Sequence, residues 1–381
     1  MKLFKVSKRF KSTFNSLPEE ILIQIFFNIS QYDAINIRLL NKKLNKLASV
    51  RLFNSLYVYL NKTKVISPFP RKAKIRYWPL MVEYTVVDSY DSFNTLVRNV
   101  VFSVHSSRQY SDYCYSYLTK NCPWITIDVQ SYRKDMIEHQ LSRIDSISQL
   151  RVRNRFYFNP ANIYNVSIKR FYIVGSRSIA WEPLDLIPKL KSLTALCIRD
   201  SKETDIIDHL MEKNISGLKL KQLALRVPQL SIREMDLVFD LNEIESLELI
   251  FYNTVDAYDD LKWLCTKMPK LGNISVGWSN VSFERVMNSL LGHKFYEISL
   301  KRYGREQAYN QSEVLQLVQG HASVIRFGIY AGIEFIEQMW EPVMFHNIHK
   351  QTHAAKFLKY FTKNKFPNLV MFRMNFMYFI V

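Results

Sequence analysis

The chain has 381 residues, of which 48% are hydrophobic and 14% aromatic, so it can bury a large core and is not a disordered protein. Its four cysteines are few for this length and show no close metal-type spacing, which favours the reducing cytoplasm or nucleus and implies no disulfide framework. The formal net charge is +18, but residues 1–76 hold 16 Lys and Arg against three Asp and Glu. The excess charge therefore belongs mainly to the front of the chain, which weakens the case for nucleic acid as the partner.

Residues 1–13 form a basic N-terminal segment without the apolar stretch of a signal peptide. No apolar run in the chain reaches the roughly 18 residues that a membrane span requires, so we expect no transmembrane segment. In Met1–Phe14, apolar residues interleave with Lys and Arg, so a membrane-surface helix, a mitochondrial-targeting helix or a nuclear import signal stays open as an alternative.

Three short helices are predicted next. Ser16-Leu17-Pro18-Glu19 has the form of a capping box that starts a helix. The following apolar residues, Ile21, Leu22, Ile25, Phe26 and Ile29, gather on one broad face. A second apolar stretch contains Ile35, Ile37, Leu39 and Leu40, and Asn41 is placed to cap a third helix with Leu44 and Leu47. So small a module buries little surface alone, which favours a partner protein on part of its apolar area.

This region, from Leu17-Pro18-Glu19-Glu20-Ile21-Leu22 through Leu47-Ala48, resembles an F-box of the fungal type at residues 14–60. In that family the Leu-Pro pair and the apolar positions bind a Skp-family adaptor, which links the protein to a cullin-RING ubiquitin ligase. The resemblance implies the following adaptor-binding residues: Leu17, Pro18, Ile21, Ile25, Ile29, Ile37, Leu40 and Leu44.

A basic linker at residues 61–79, rich in Lys, Arg and Pro, separates the F-box from the rest. Beyond it, an apolar pattern at positions 1, 4 and 6 recurs eleven times, from Val97/Val100/Phe102 to Leu369/Phe372/Met374. The last residues of successive triplets are 21 to 29 residues apart, except in the final interval, which contains an inserted stretch at 333–363. Helical patterns lie between the later predicted strands, for example at Ile206/Ile207/Leu210.

Strand and helix thus alternate about every 25 residues, which is typical of leucine-rich repeats. Residues 80–381 resemble the divergent repeats that follow many F-boxes, although the Asn expected after each strand is mostly missing. The predicted fold class is α/β: a three-helix F-box followed by a leucine-rich-repeat solenoid of about 10–11 repeats that serves as a substrate receptor.

The sequence contains no phosphate-binding glycine loop and no nucleophile elbow, so we expect no cofactor and no catalytic residues. His346, His349 and His353 share one helical side but lack a Cys or carboxylate partner, so no metal site is predicted. The resemblance implies a non-catalytic adaptor of a ubiquitin ligase.

The target-binding surface is expected on the concave strand face. That face is formed by the residues that alternate with the apolar triplets, and basic and aromatic side chains dominate there. Because Arg pairs well with carboxylate and phosphate, we expect an acidic or phosphorylated protein target. The candidate residues are Arg151, Arg153, Tyr172, Arg199, Arg226, Glu248, Tyr252, Lys301, Tyr303, Arg326, Tyr330 and Arg373.

One rival interpretation is a structural or nucleic-acid-associated complex, of the kinetochore type, which uses an F-box without ubiquitination. In that case the basic residues of the first 76 positions would contact phosphates, and binding would weaken strongly with salt. The sequence specifies neither the target nor the oligomeric state.

Overall fold

A computed structural model describes residues 17–28, 31–59, 72–74, 83–87, 96–103, 126–130, 147–153, 168–174, 182–199, 205–227, 230–250, 257–278, 283–303, 311–333, 360–374 and 377–380. The chain divides into two compact units, residues 1–75 with 82–128 and residues 76–81 with 129–381. The predicted boundaries of the linker, between residues 60 and 61 and between residues 79 and 80, are not tested by this division and stay predictions. Of the predicted linker, the described residues are Lys72–Lys74, and most of the insertion at 333–363 lies outside the described ranges.

The first unit contains three α-helices and four strands within its described part. The helices are α1 (Glu19–Asn28), α2 (Gln31–Ile37) and α3 (Lys42–Phe53). The strands are β1 (Ser55–Tyr59), β2 (Lys72–Lys74), β3 (Glu83–Val87) and β4 (Asn99–Ser103). Strand β1 pairs in parallel with both β3 and β4, and β2 pairs antiparallel with β3.

Helix α3 begins where the sequence predicts. The Asn41 side chain accepts a hydrogen bond from the backbone N–H of Leu44 at 2.9 Å and so caps the helix. Ser16 lies outside the described residues, so the predicted capping box of α1 stays a prediction. Strand β5 (Thr126–Gln130) lies at the sequence boundary between the two units.

The second unit is built on parallel strands that follow one another in chain order. Each of β6 to β13 pairs in parallel with the next strand, and β15 pairs antiparallel with β14. The strands are β6 (Ile147–Arg153), β7 (Arg170–Val174), β8 (Ala195–Arg199), β9 (Gln222–Arg226), β10 (Ser246–Ile250), β11 (Asn273–Trp278), β12 (Glu297–Tyr303), β13 (Arg326–Ile333), β14 (Met371–Met374) and β15 (Met377–Ile380).

Helical segments join most of these strands. The α-helices are α4 (Ile206–Glu212), α5 (Met235–Val238), α6 (Ala257–Thr266), α7 (Phe283–Leu290) and α8 (Gln311–Gly320). Three 3₁₀ helices span Glu182–Lys189, Ile232–Glu234 and Leu241–Glu243. The predicted alternation of strands and helices is therefore confirmed as an α/β arrangement on a mostly parallel sheet. Within the described ranges, no helix combines the length and hydropathy that crossing a membrane requires.

The register of the parallel strands aligns the predicted apolar triplets. The middle residue of each triplet falls in one row across eight strands, and every member is buried. The row consists of Phe171, Leu196, Leu223, Leu247, Ile274, Ile298, Phe327 and Phe372. Because burial of such a side chain stabilises by about 1.5–3 kcal/mol, this row is a major part of the core.

Candidate functional site

The three N-terminal helices enclose a small core. Leu22 and Phe26 lie one turn apart on α1 and are fully buried. They pack with Ala34 of α2 and with the inner face of α3, which contributes Leu44, Leu47, Ala48 and Leu52. Leu17 and Ile37 are partly buried against this cluster. The core of the module is therefore complete without the outward-facing residues of α1.

The outward face of α1 carries apolar side chains. Ile21 and Ile25 are 43% and 38% exposed, and their spacing of four residues places them side by side. The turn after α2 exposes Leu39 and Leu40 still further, at 83% and 69%. The broad apolar face predicted for α1 is thus divided: Leu22 and Phe26 face the core, while Ile21 and Ile25 face outward.

Residues 14–55 match the family model of the F-box domain. The chain therefore carries an F-box, whose helices are α1 to α3. No curated protein matches the chain.

The F-box structure separates the predicted adaptor-binding residues into three groups. Pro18, Ile21, Ile25 and Leu40 are exposed, and Leu17 and Ile37 are half-buried. Leu44 is buried in the core, so its side chain supports the fold. Ile29 lies outside the described residues. Leu39, which the sequence-based set omitted, is the most exposed large apolar residue described, and its position in a turn beside Leu40 was the signal that could have identified it.

The predicted target-binding residues are brought together by the parallel register of the second unit. Two neighbouring rows on one face of the sheet contain nine of the twelve. One row holds Arg151, Tyr172, Glu248 and Arg373, and the next holds Arg153, Arg199, Arg226, Lys301 and Tyr330. Arg326 and Tyr303 lie in strands β13 and β12, and Tyr252 lies outside the described residues.

The expectation that this face is open to solvent is wrong where its side chains are described. Five of the predicted residues on this face are buried: Tyr172, Arg199, Arg226, Glu248 and Lys301. Of the predicted set, Arg326 is about half-exposed and lies 3.8 Å from Glu297. The charged groups of Arg226, Glu248 and Lys301 pair with one another, which offsets the cost of burying them.

An ion cluster at the centre of this face makes that burial possible. One carboxylate oxygen of Glu248 accepts a hydrogen bond from Nε of Arg226, and the other accepts one from Nζ of Lys301 at 2.7 Å. The carboxylate is fully buried. Beside it lie two buried serines, Ser275 and Ser299, for whose Oγ atoms no hydrogen-bond partner is present in the described part of the chain. The cluster links strands β9, β10 and β12, and both oxygens of its carboxylate accept hydrogen bonds.

The edge at which the strands begin holds the titratable groups with shifted pKa values. Burial raises the pKa of the Cys265 thiol to about 12, so this cysteine is not a nucleophile at neutral pH. Nδ1 of His321 lies 3.3 Å from the carbonyl oxygen of His293, and since a carbonyl only accepts, Nδ1 carries the proton. In the described ranges, no group of three or more His, Cys, Asp or Glu side chains could hold a metal ion. The three clustered histidines of the sequence lie outside those ranges.

Acidification is expected to destabilise this edge. Burial lowers the pKa of His321, and burial together with the charge of Lys262 lowers the pKa of His293. When folding lowers the pKa of a histidine, the unfolded state binds the proton first as pH falls. The full stability is therefore present at pH values above the ordinary pKa near 6.5, and it is lost as pH falls through the folded-state pKa. The variant His321→Phe should therefore show a smaller drop in melting temperature between pH 7.5 and 5.5 than the wild type.

The matched control for this prediction is Leu317→Ala on helix α8, which truncates a buried side chain but removes no titratable group and should leave the pH dependence unchanged. An equal drop in melting temperature for His321→Phe and the wild type would contradict the assignment.

Proposed function

We propose that the chain is the substrate-recognition subunit of an SCF-type (Skp-cullin-F-box) ubiquitin ligase. In this proposal the F-box binds a Skp-family adaptor and the second unit binds a protein target. The F-box match carries the proposal. A subunit of this kind brings a target close to the ubiquitin-conjugating enzyme, so the ligase gains rate through proximity and the subunit needs no catalytic residues.

The exposed side of α1 supports the docking half of the proposal. Ile21 and Ile25 do not contribute to the F-box core, and the exposed area of each would be buried under an adaptor. Since full burial of an isoleucine is favourable by about 1.5–3 kcal/mol, covering the exposed part adds on the order of 1 kcal/mol each. Leu17, Pro18, Ile37, Leu40 and Ile29 complete the proposed surface, and we assign Leu44 to the core.

We also propose that the second unit is a receptor made of divergent leucine-rich repeats. Each strand with its following helix cannot cover its own apolar side, but stacked neighbours bury a continuous core. The regular spacing of the apolar triplets and the pairing of β6 to β14 in chain order support this assignment. We keep the proposal that the target is an acidic or phosphorylated protein. Arg199 and Arg226 are buried, however, so they offer such a target no exposed contact.

The docking surface can be tested with the double variant Ile21→Ala and Ile25→Ala in the whole protein. We expect affinity for a purified Skp-family adaptor to fall at least tenfold, because two apolar contacts are lost, while the melting temperature stays unchanged because neither residue fills the core. Isothermal calorimetry and thermal melts measure the two quantities.

Leu237→Ala is the control for this variant, because Leu237 is a similarly exposed apolar residue on helix α5 of the other unit. It should leave adaptor affinity unchanged. Equal affinity of the double variant and the wild type would remove α1 from the docking surface.

A further inference from the structure

A continuous backbone ladder runs along the edge at which the strands of the second unit begin. The residue before each of the strands β8 to β14 donates its backbone N–H to the carbonyl of its counterpart before the previous strand, at 2.7–3.0 Å. We call this row the strand-start edge. Its members in order are Lys169, Thr194, Lys221, Glu245, Gly272, Tyr296, Ile325 and Val370.

The two ends of the strand-start edge differ in chemistry. The first four members are polar, whereas the last three, Tyr296, Ile325 and Val370, are apolar and between 38% and 60% exposed. Adjacent strands lie about 4.8 Å apart, so these three side chains form a contiguous strip. The Tyr296 ring lies over Gly272, where an added Cβ would come within 2.8 Å of the ring. An exposed strip of this kind, rimmed by polar residues, is typical of a protein-interaction site.

Lysines lie along the whole strand-start edge, and Lys294, Lys363 and Lys365 lie in the turns next to the strip. In the described segments directly before β7 to β14, including the 3₁₀ helices Glu182–Lys189 and Leu241–Glu243, eleven lysines are exposed: Lys169, Lys189, Lys191, Lys213, Lys219, Lys221, Lys267, Lys270, Lys294, Lys363 and Lys365. The same segments contain five acidic residues: Glu182, Asp185, Asp240, Glu243 and Glu245. Three of them pair with lysines: Asp185 with Lys213 at 3.0 Å, Glu243 with Lys270 at 2.7 Å and Glu245 with Lys221 at 3.1 Å. The strand-start edge therefore has a surplus of positive charge and attracts a negatively charged partner.

A pocket of about 300 Å³ lies at the same edge of the sheet, in the turns before β11 and β12. Its walls come from the turn before β11, with Met268 and Leu271, and from the turn before β12, with Lys294 and Phe295. The pocket is of mixed character, because Thr266, His293 and Lys294 also line it. Its lining residue Phe295 is directly next to Tyr296 in the chain. A single apolar side chain of a partner could enter it while neighbouring carboxylates meet the lysines.

We propose that this end of the strand-start edge binds an acidic protein segment with interspersed apolar side chains. The apolar side chains cover Tyr296, Ile325 and Val370 and fill the pocket, and the carboxylates pair with the surrounding lysines. Ile325 and Val370 argue against nucleic acid as the occupant, because aliphatic side chains contribute little to phosphate binding or base stacking. In the receptor role proposed above, the segment belongs to the target, and this assignment rests on that role.

A phage-displayed library of random 12-residue peptides, selected against the whole protein, tests the proposal. The selected peptides should be enriched in Asp and Glu together with apolar residues. They should bind the triple variant Tyr296→Ala, Ile325→Ala, Val370→Ala at least tenfold more weakly than the wild type. The charge variant Lys294→Glu, Lys365→Glu should weaken binding similarly, and added salt should reduce the affinity of the wild type. Leu237→Ala should have no effect.

The proposal is overturned if no peptide is selected, if selected peptides lack acidic residues, or if they bind the triple variant as well as the wild type. It is also overturned if a fluorescent 20-nucleotide single strand binds the wild type and loses affinity in the triple variant. Adaptor affinity measured on the same variants separates this proposal from F-box docking, since it should be unchanged in all of them.

Discussion

Replacing Glu248 by alanine is expected to lower the free energy of unfolding by about 3–5 kcal/mol. The change leaves Arg226 and Lys301 without the carboxylate that both contact, in a face of the sheet where all three residues are buried. A buried charge that loses its carboxylate partner is destabilised, because water does not replace the lost ion pair in the interior. Urea denaturation followed by circular dichroism measures the loss.

The exposed pair of Glu243 and Lys270 is the matched control, since its ion pair has the same 2.7 Å distance as that of Glu248 and Lys301. Glu243→Ala should cost far less than Glu248→Ala, because solvent screens the pair. A combined variant, Arg226→Met, Glu248→Leu and Lys301→Met, should recover most of the stability lost in Glu248→Ala, since it removes every charge of the cluster. Equal costs for Glu248→Ala and Glu243→Ala would contradict the buried cluster.

Replacing Phe26 by alanine is expected to unfold the F-box. Truncation of a buried phenylalanine costs about 3–5 kcal/mol, and so small a module has little stability to lose. Hydrogen exchange of peptides from residues 17–53 in the whole protein should rise to the unprotected rate, and adaptor binding should disappear with it.

The neighbouring residue Ile25 gives the contrast. Ile25→Ala should weaken adaptor binding while leaving hydrogen exchange of the same peptides protected, because Ile25 points outward. If Phe26→Ala kept the exchange protection of the wild type, the division of α1 into an inner and an outer face would be wrong.

The strands of the second unit were predictable because their signal is local. A residue pair such as Leu247 and Leu249 alternates with polar neighbours at the period of a strand. Each of the eleven predicted triplets lies in a strand or begins directly before one. Their parallel register then aligns Arg199 with Arg226, as a shared face requires.

The exposure of a face was not predictable in the same way. Alternation tells which residues share a face, but whether that face meets water depends on what packs on it, which is a non-local property. In the sequence, Glu248 is indistinguishable from a surface charge. Its burial is explained by Arg226 and Lys301, which are distant in sequence but contact its two carboxylate oxygens. The antiparallel strand β15 was missed because it lies beyond the last repeat and outside its period.

The same limit applies to the F-box. Ile21, Leu22, Ile25 and Phe26 all lie within one broad helical stripe, so the sequence alone does not separate the core from the docking surface. The packing of α3 against Leu22 and Phe26 decides the division. Ser275 and Ser299 were overlooked because a serine between two apolar strand residues has no special signature.

Affinity purification of the whole protein beside the variant Leu17→Ala, Pro18→Ala tests the central claim most directly, with the adaptor and the cullin quantified in each sample. The SCF proposal predicts both proteins with the wild type and neither with the variant, while proteins bound to the second unit are recovered with both. Recovery of the adaptor without a cullin would contradict the ubiquitin-ligase role and favour a structural complex. Equal recovery of the adaptor from the wild type and the variant would contradict the docking assignment itself.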